Sequence, residues 1–177
     1  MADAVRQVEG EVRELIRRSG LDPARHPMEI DRLVRDAVTD YDERSMRSGM
    51  PPLADLAGAA KSILDTVAGY GPLQRYFDDP KVEEIWVNSP DRVFIARAGQ
   101  SELTNTILTA DEVRDLVERM LRSSGRRVDL SSPFVDATLP DGSRLHVVIP
   151  DITRDHWPLH VRKFVGRADH LDDPVRL

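Results

Sequence analysis

Cysteine is absent from this chain of 177 residues, which excludes disulfide bonds and thiolate metal sites. Aromatic residues make up only 5% of the sequence, which argues against a nucleic-acid surface built by base stacking. No run approaches the roughly 18 consecutive apolar residues that cross a bilayer. The first residues carry scattered acids and lack the apolar segment of a signal peptide. We therefore expect a protein that stays in the cytoplasm.

Glycine-rich phosphate-binding motifs are also missing. Neither G-x-x-x-x-G-K-[S/T] nor G-x-G-x-x-G occurs, and Gly125, Gly142 and Gly166 lead into no such motif. A phosphate loop needs clustered glycines whose backbone N–H groups point at the ligand from the start of a helix. We expect this chain alone to be enzymatically inactive and to bind no nucleotide, metal or other cofactor by itself.

The composition is that of a folded protein. Hydrophobic residues make up 40% and charged residues 32% of the chain, and the formal net charge is −6. A chain of this length forms one domain, or one domain with a helical appendage. The acidic balance argues against a general nucleic-acid binder, so we expect no nucleic-acid partner.

Three apolar stripes at helical spacing occupy the first 68 residues. Ser19-Gly20 and Ser48-Gly49 end the first two stripes, and Met50-Pro51-Pro52 interrupts the chain before the third. Helices this short are marginal alone, so we expect the three to pack together. The pattern predicts a helical bundle or extension at 1–48 and a connecting helix at 49–68. The stripes consist of Val5, Val8, Val12, Leu15 and Ile16; Ile30, Leu33, Val34, Ala37, Val38 and Tyr41; and Leu53, Leu56, Ala57, Ala60, Ile63, Leu64 and Val67.

The periodicity then changes to that of strands. A capping box formed by Thr109 and Glu112 begins one amphipathic helix, and Gly125 ends it. The predicted class is α+β, with a helical bundle followed by a domain that has a mainly antiparallel sheet. Strands are expected at 85–87, 93–95, about 102–107, about 134–139, 144–149 and 158–164.

The segment Pro140-Asp141-Gly142-Ser143 is a hairpin signal between two of these strands. A simple register would set Arg144 opposite Leu139 and His146 opposite Ala137. Alternation along the strands would then divide the side chains between two faces. One face would hold Val135, Ala137, Leu139, Arg144, His146 and Val148, and the other Phe134, Asp136, Thr138, Leu145, Val147 and Ile149.

Histidine and serine give no catalytic or metal-binding pattern. The five histidines lack H-E-x-x-H or comparable spacing, so we interpret them as ordinary surface or packing residues. No serine lies in G-x-S-x-G. The residues concerned are His26, His146, His156, His160 and His170, with Ser131, Ser132 and Ser143.

Arginines on strands are the better candidates for chemistry. Arg144 and Arg162 each lie among apolar residues of a predicted strand, and Arg162 shares a face with His160 and Phe164. An arginine in such a place either extends its head group into solvent or meets an anion. From the residues alone the solvent-exposed alternative is favoured over the anion contact.

A succession of short blocks resembles the N-terminal region of CpaF-type ATPases, the motors of Flp/Tad pilus and type II/IV secretion systems. Each block is weak alone, but their order over residues 69–164 follows that family. Residues 1–48 match only as a generic helical extension. The blocks are Gly69-Tyr70-Gly71-Pro72-Leu73, Glu84 to Val93, Gly125 to Asp129, Ser132-Pro133, Val135-Asp136-Ala137, Leu139 to Arg144 and Val161-Arg162-Lys163-Phe164.

The resemblance implies a PAS-like domain at 69–165 and a linker at 166–177 toward a motor domain that this sequence does not contain. Relatives are cytoplasmic homohexamers that hydrolyse ATP with Mg and work against an inner-membrane platform protein. Their N-terminal domain packs on the motor domain and helps close the ATP site. The basic residues carried over by position are Arg144, Arg162 and, as a weaker candidate, Arg127, all as phosphate contacts.

Two alternatives from other classes remain at this point. The chain could be a free-standing PAS-like sensor or protein-interaction domain, or a phosphate- or nucleic-acid-binding module built on its arginines. Low aromatic content and the lack of a concentrated apolar pocket with convergent polar groups disfavour the sensor. Acidic net charge and sparse aromatic residues disfavour the binding module.

Overall fold

The computed structural model describes residues 2–126, 133–148 and 156–164. By contact the chain divides into two compact units, Met1–Arg75 and Tyr76–Leu177. The first unit contains helices, and the second contains a sheet and a further long helix. Each unit has its own buried residues and is described by itself below.

Three long helices build the first unit, as the apolar stripes predict. They are α1 (Ala2–Ser19), α2 (Pro27–Ser48) and α3 (Leu56–Ala68), followed by a 3₁₀ turn at Gly71–Leu73. Helix α2 ends at Gly49, whose φ of 70° lies in the left-handed region that glycine tolerates best. At the start of α3 the Asp55 side chain accepts a hydrogen bond from the backbone of Gly58.

The three helices share one hydrophobic core, which confirms the predicted packing. Tyr41 is fully buried in it, and the Tyr41 hydroxyl donates to the carbonyl of Pro51 at 3.0 Å. This bond pairs the polar end of the ring and fixes the segment between α2 and α3 against the core. The buried residues of the cluster are Ala4, Val8, Val12, Ile30, Val34, Ala37, Val38, Tyr41, Leu53, Ala59, Ile63 and Val67.

The second unit holds a six-stranded sheet in the order β3-β2-β1-β6-β5-β4. Every pairing is antiparallel, which confirms the predicted α+β class. A short helix, α4 (Gln74–Asp78), precedes the sheet, and α5 (Ala110–Ser123) lies between β3 and β4 in sequence. The strands are β1 (Val82–Ser89), β2 (Arg92–Arg97), β3 (Gln100–Leu103), β4 (Phe134–Thr138), β5 (Arg144–Val148) and β6 (Leu159–Arg162).

Strand β6 occupies a central place although it is last in sequence. It pairs with β1 on one side and with β5 on the other. The first three strands form a meander and β4–β5 forms a hairpin, so β6 joins two locally formed pieces into one sheet. Residues far apart in sequence therefore become neighbours across β6.

Helix α5 and alternate strand positions supply most buried residues of this unit. The capping box at Thr109 forms in full, with the hydroxyl accepting from the backbone of Glu112 and the Glu112 carboxylate accepting from the backbone of Thr109. The buried residues of α5 and of one sheet face are Val113, Leu116, Val117, Met120, Leu121, Ile85, Val87, Val93, Ile95, Val135, Leu145, Val147, Leu159 and Val161.

The predicted hairpin register is wrong by one residue. Arg144 pairs with Thr138 and His146 with Asp136, so Val135 and Ala137 share the face of Leu145 and Val147. The loop from Leu139 to Ser143 is the cause: the backbone N–H of Leu139 donates to the carbonyl of Ser143, and that of Gly142 donates to the carbonyl of Leu139. Gly142 has a φ of 84°, and the Asp141 carboxylate accepts from both the backbone and the hydroxyl of Ser143.

One smaller difference concerns the third strand. The strand expected near 102–107 is β3 at Gln100–Leu103, and Thr106 beyond it is buried, with its hydroxyl 2.6 Å from that of Tyr76. Within the described ranges, none of the helices is both long and apolar enough to traverse a bilayer.

The capping box gives a stability prediction. Replacing Thr109 with alanine removes the acceptor for the backbone of Glu112 and should lower the free energy of unfolding by about 1 kcal/mol. Chemical denaturation followed by circular dichroism measures the change. The matched control is Asp115→Ala, an exposed position within the same helix, which should leave stability unchanged or slightly higher. Equal stability of the two variants would contradict the capping role.

Candidate functional site

The sheet face opposite the buried positions, here called the open face, carries most of the charged strand residues. Two rows of directly opposed side chains cross all six strands on this face. Apart from buried Ala96, their members are exposed or half-buried. The first row is Thr138, Arg144, Arg162, Glu84, Ala96 and Ser101, and the second is Asp136, His146, His160, Trp86, Phe94 and Leu103.

The register sets Arg144 directly opposite Arg162 on neighbouring strands. Like charges in such a cross-strand pair destabilise a sheet unless another group compensates them. Both arginines are exposed, and within the described residues Arg144 makes no side-chain hydrogen bond or ion pair. The pair is therefore a local concentration of positive charge on an otherwise acidic protein.

Glu84 compensates one of the two arginines. Glu84 Oε1 accepts from Arg162 Nη2 at 3.0 Å and from Nε at 3.2 Å, while Oε2 lies 2.6 Å from His160 Nε2. Burial of this carboxyl raises the pKa of Glu84, but the hydrogen bonds from His160 and Arg162 outweigh burial and hold the pKa below its usual value. Glu84 is therefore ionised at neutral pH.

The two histidines of the face are held by contacts with neighbouring side chains. His160 stacks on Trp86 with ring centroids 5.2 Å apart and an interplanar angle of 11°. His146 Nδ1 lies 2.7 Å from Asp136 Oδ1, and the ring stacks on Phe134. No group of three or more histidine, aspartate or glutamate side chains suited to a metal ion occurs within 2–126, 133–148 and 156–164.

Residues beside the arginines fix the ends of their strands. Lys163 Nζ donates to the carbonyls of Tyr76 at 3.0 Å and Asp79 at 2.6 Å, and burial lowers the pKa of Lys163. The Ser143 hydroxyl, which is buried, accepts from the backbone of Phe164 at 3.4 Å. These contacts tie the end of β6 to α4 and to the β4–β5 loop, and so fix the backbone beside both arginines.

Two of the three sequence-derived candidates are thus brought together. Arg144 and Arg162 are neighbours across β5 and β6, whereas Arg127 lies outside the described residues. Sequence reasoning did not identify Glu84 as the partner of Arg162, or His160 as the second group that holds Glu84. Glu84 begins one of the blocks of resemblance and precedes the apolar run Ile85-Trp86-Val87, but neither feature indicated a partner 78 positions away.

The chemistry available to this arrangement is anion binding. Each guanidinium presents a planar fork of N–H donors that matches the oxygens of a phosphate group. Two forks side by side can contact two oxygens of one group or adjacent phosphates of a chain. The described side chains form no nucleophile–base pair at this place, so the arrangement is suited to binding and neutralising charge.

Comparisons with known proteins match part of the chain. It is 33% identical over 135 residues to the uncharacterized protein MJ0781 of Methanocaldococcus jannaschii, a match that covers 74% of this chain and 18% of that protein. It is 30% identical over 81 residues to the protein VirB11 of Agrobacterium fabrum, covering 45% of this chain and 23% of VirB11. The chain thus spans about a fifth of the length of these relatives.

A solved structure is similar as well. The VirB11 ATPase of the Brucella suis type IV secretion system, in complex with sulphate, shares 30% sequence identity with a TM-score of 0.48, over 52% of this chain and 29% of that one. No family model matches the sequence. The sequence comparison therefore shows partial homology to VirB11, at 30% identity over 45% of this chain.

The Glu84 contacts give a prediction for acid stability. Because the folded pKa of Glu84 is lowered, its contribution is complete above the unfolded value of about 4.3 and is lost as pH falls through the folded pKa. The free energy of unfolding of the wild type should therefore fall more steeply between pH 6 and pH 3 than that of Glu84→Gln. Chemical denaturation at each pH measures both values. Asp136→Asn, on the same face but with a far more exposed side chain, is the control for the loss of one carboxylate. A Glu84→Gln slope equal to the wild-type slope would refute the assignment.

Proposed function

We propose that this chain is the N-terminal assembly and regulatory domain of a hexameric ATPase that powers pilus assembly or protein secretion. Homology to VirB11 supports the general class, a secretion ATPase domain. The sequence blocks of residues 69–164 favour the CpaF type of motor and a PAS-like domain within it. In this proposal the catalytic motor domain lies in another part of a longer protein.

The pairing of Arg144 with Arg162 is the observation that carries the proposal. Two exposed guanidinium groups directly opposed on an acidic protein are electrostatically unfavourable unless an anion or a carboxylate lies between them. Glu84 offsets only one of them, so the pair retains net positive charge. An incoming phosphate group would relieve that repulsion and gain charge-assisted hydrogen bonds.

In the complete motor, this pair reaches the phosphates of ATP held by the motor domain. The arginines of this chain then bind phosphoryl oxygens and neutralise the charge that develops as the bond to the leaving phosphate lengthens. The described donors of the pair are all N–H groups, which fit phosphate oxygens and cannot ligate Mg²⁺. The metal ion is therefore assigned to the motor domain, which supplies the hydrolytic chemistry when ATP and Mg²⁺ are bound.

The partners follow from the same proposal. The domain packs on its own motor domain and on neighbouring subunits of a homohexamer, and the assembled motor works in the cytoplasm against an inner-membrane platform protein. The helical unit, Met1–Arg75, is a separate compact piece with its own core.

Anion binding by this chain tests the site directly. Pyrophosphate should bind the isolated chain at low salt, and either Arg144→Ala or Arg162→Ala should weaken binding by about tenfold or more, as expected for a lost charged hydrogen bond. Isothermal titration calorimetry measures the affinity. Arg92→Ala removes an exposed arginine from β2 of the same sheet and should bind like the wild type. Equal weakening in all three variants would indicate general charge attraction instead of a site.

Turnover by the complete motor tests the functional role. Arg144→Ala and Arg162→Ala should each lower ATPase turnover by about 10³-fold or more, the lower bound for an arginine that stabilises phosphoryl transfer. Replacement by lysine should restore little, because an ammonium group lacks the planar fork. Light scattering must show that the hexamer is intact in each variant. Unchanged turnover in an intact hexamer would remove both arginines from the ATP site.

A further inference from the structure

Glu84 is placed to control how strongly the arginine pair attracts an anion. We propose that Glu84 is an internal counter-ion of this site: it holds Arg162 while no anion is bound, and a phosphate group must displace it to bind both arginines. The inference rests on the proposed function, because it takes the ligand to be a phosphate group. It goes further by naming a residue of the chain that competes with that ligand.

The contacts show that Glu84 occupies the position of a ligand. One carboxylate oxygen accepts from both Nε and Nη2 of Arg162, at 3.2 and 3.0 Å, which is the edge of the guanidinium that a phosphate oxygen also uses. Arginine has five N–H donors, so Nη1 remains available to a second acceptor on the solvent side. A phosphate can approach there while Arg162 still contacts the carboxylate of Glu84.

The exposures of Arg162 and Glu84 determine which of the two side chains can move. The side chain of Arg162 is 68% exposed, whereas that of Glu84 is 21% exposed and is held from its other side by His160. The carboxylate is therefore fixed in the sheet, and the guanidinium is the group that can move. Swinging Arg162 toward Arg144 breaks one ion pair on the solvent side of Glu84, and the carboxylate keeps its contact with His160.

The charge on Glu84 opposes anion binding through space as well. Its lowered pKa keeps the carboxylate ionised at neutral pH, close to any anion that rests on Arg162. The two arginines and ionised Glu84 together carry a net charge of +1. Without the charge on Glu84, the two arginines carry +2. Weakly charged anions therefore compete poorly with Glu84, and a polyphosphate competes better because it can contact Arg144 and Arg162 together.

Calorimetric titration of pyrophosphate into wild type, Glu84→Gln and Glu102→Gln tests the inference. Glutamine retains the size of Glu84 and a carbonyl acceptor for Arg162 but removes the charge, so binding should become about tenfold tighter. Glu102→Gln removes the same charge from an ion pair with Arg97 on the other face of the sheet. It should change the affinity by less than about twofold.

The outcomes separate the two proposals. Tighter binding only in Glu84→Gln supports the counter-ion role, and equal or weaker binding in that variant overturns it. If Arg162→Ala loses pyrophosphate while Glu84→Gln gains nothing, the arginine site stands and the role of Glu84 is wrong. If neither wild type nor Glu84→Gln binds pyrophosphate, the arginine site itself is wrong and the counter-ion role falls with it.

A measurement on the wild type tests the same inference without depending on whether a variant folds. The side-chain Nε–H resonance of Arg162 in a ¹⁵N-labelled sample reports the acceptor that this group contacts. It should move progressively as pyrophosphate is added, while that of Arg97, paired with Asp79 and Glu102, should stay fixed. An Arg162 resonance that stays unmoved at saturation would show that Glu84 is never displaced.

Discussion

The antiparallel pairing of β6 with both β1 and β5 is the interaction on which the rest of the second unit depends. Only four residues, Leu159–Arg162, join the β1–β2–β3 meander to the β4–β5 hairpin. Leu159 and Val161 are buried on one face of β6, while His160 and Arg162 lie on the other. The same short strand thus closes the core and brings the arginine pair together.

This arrangement explains why a cluster of like charge is tolerated. The apolar face of the sheet and of α5 supplies the stabilising burial, and the open face carries the unfavourable pairing of Arg144 with Arg162. Glu84 reduces that cost from a third strand by binding Arg162 and His160 together. Lys163 and Ser143 then fix the neighbouring backbone, so that the positions of the arginines are set by the fold.

The comparisons agree with part of what the sequence blocks indicate. The 30% identity to VirB11 over 45% of the chain agrees with the coarser level of the resemblance drawn from residues 69–164. The CpaF type, the PAS-like domain and the division of the chain at 48, 68 and 165 stay predictions. The role of Arg127, which lies outside the described residues, also stays a prediction.

Local patterns in the sequence were sufficient for the helices, the capping box at Thr109 and the α+β class, because each depends on neighbours within a few positions. Tertiary structure alone decided the strand order, the register at Thr138 and Arg144, and the contact of Glu84 with Arg162. A five-residue loop held by Asp141 shifted the register by one, and in a sheet a shift of one exchanges the two faces. The arginines could be named from the sequence, but their partners could not. Strand β6 pairs with β1 and β5, and the order of strands along the chain does not indicate these pairings.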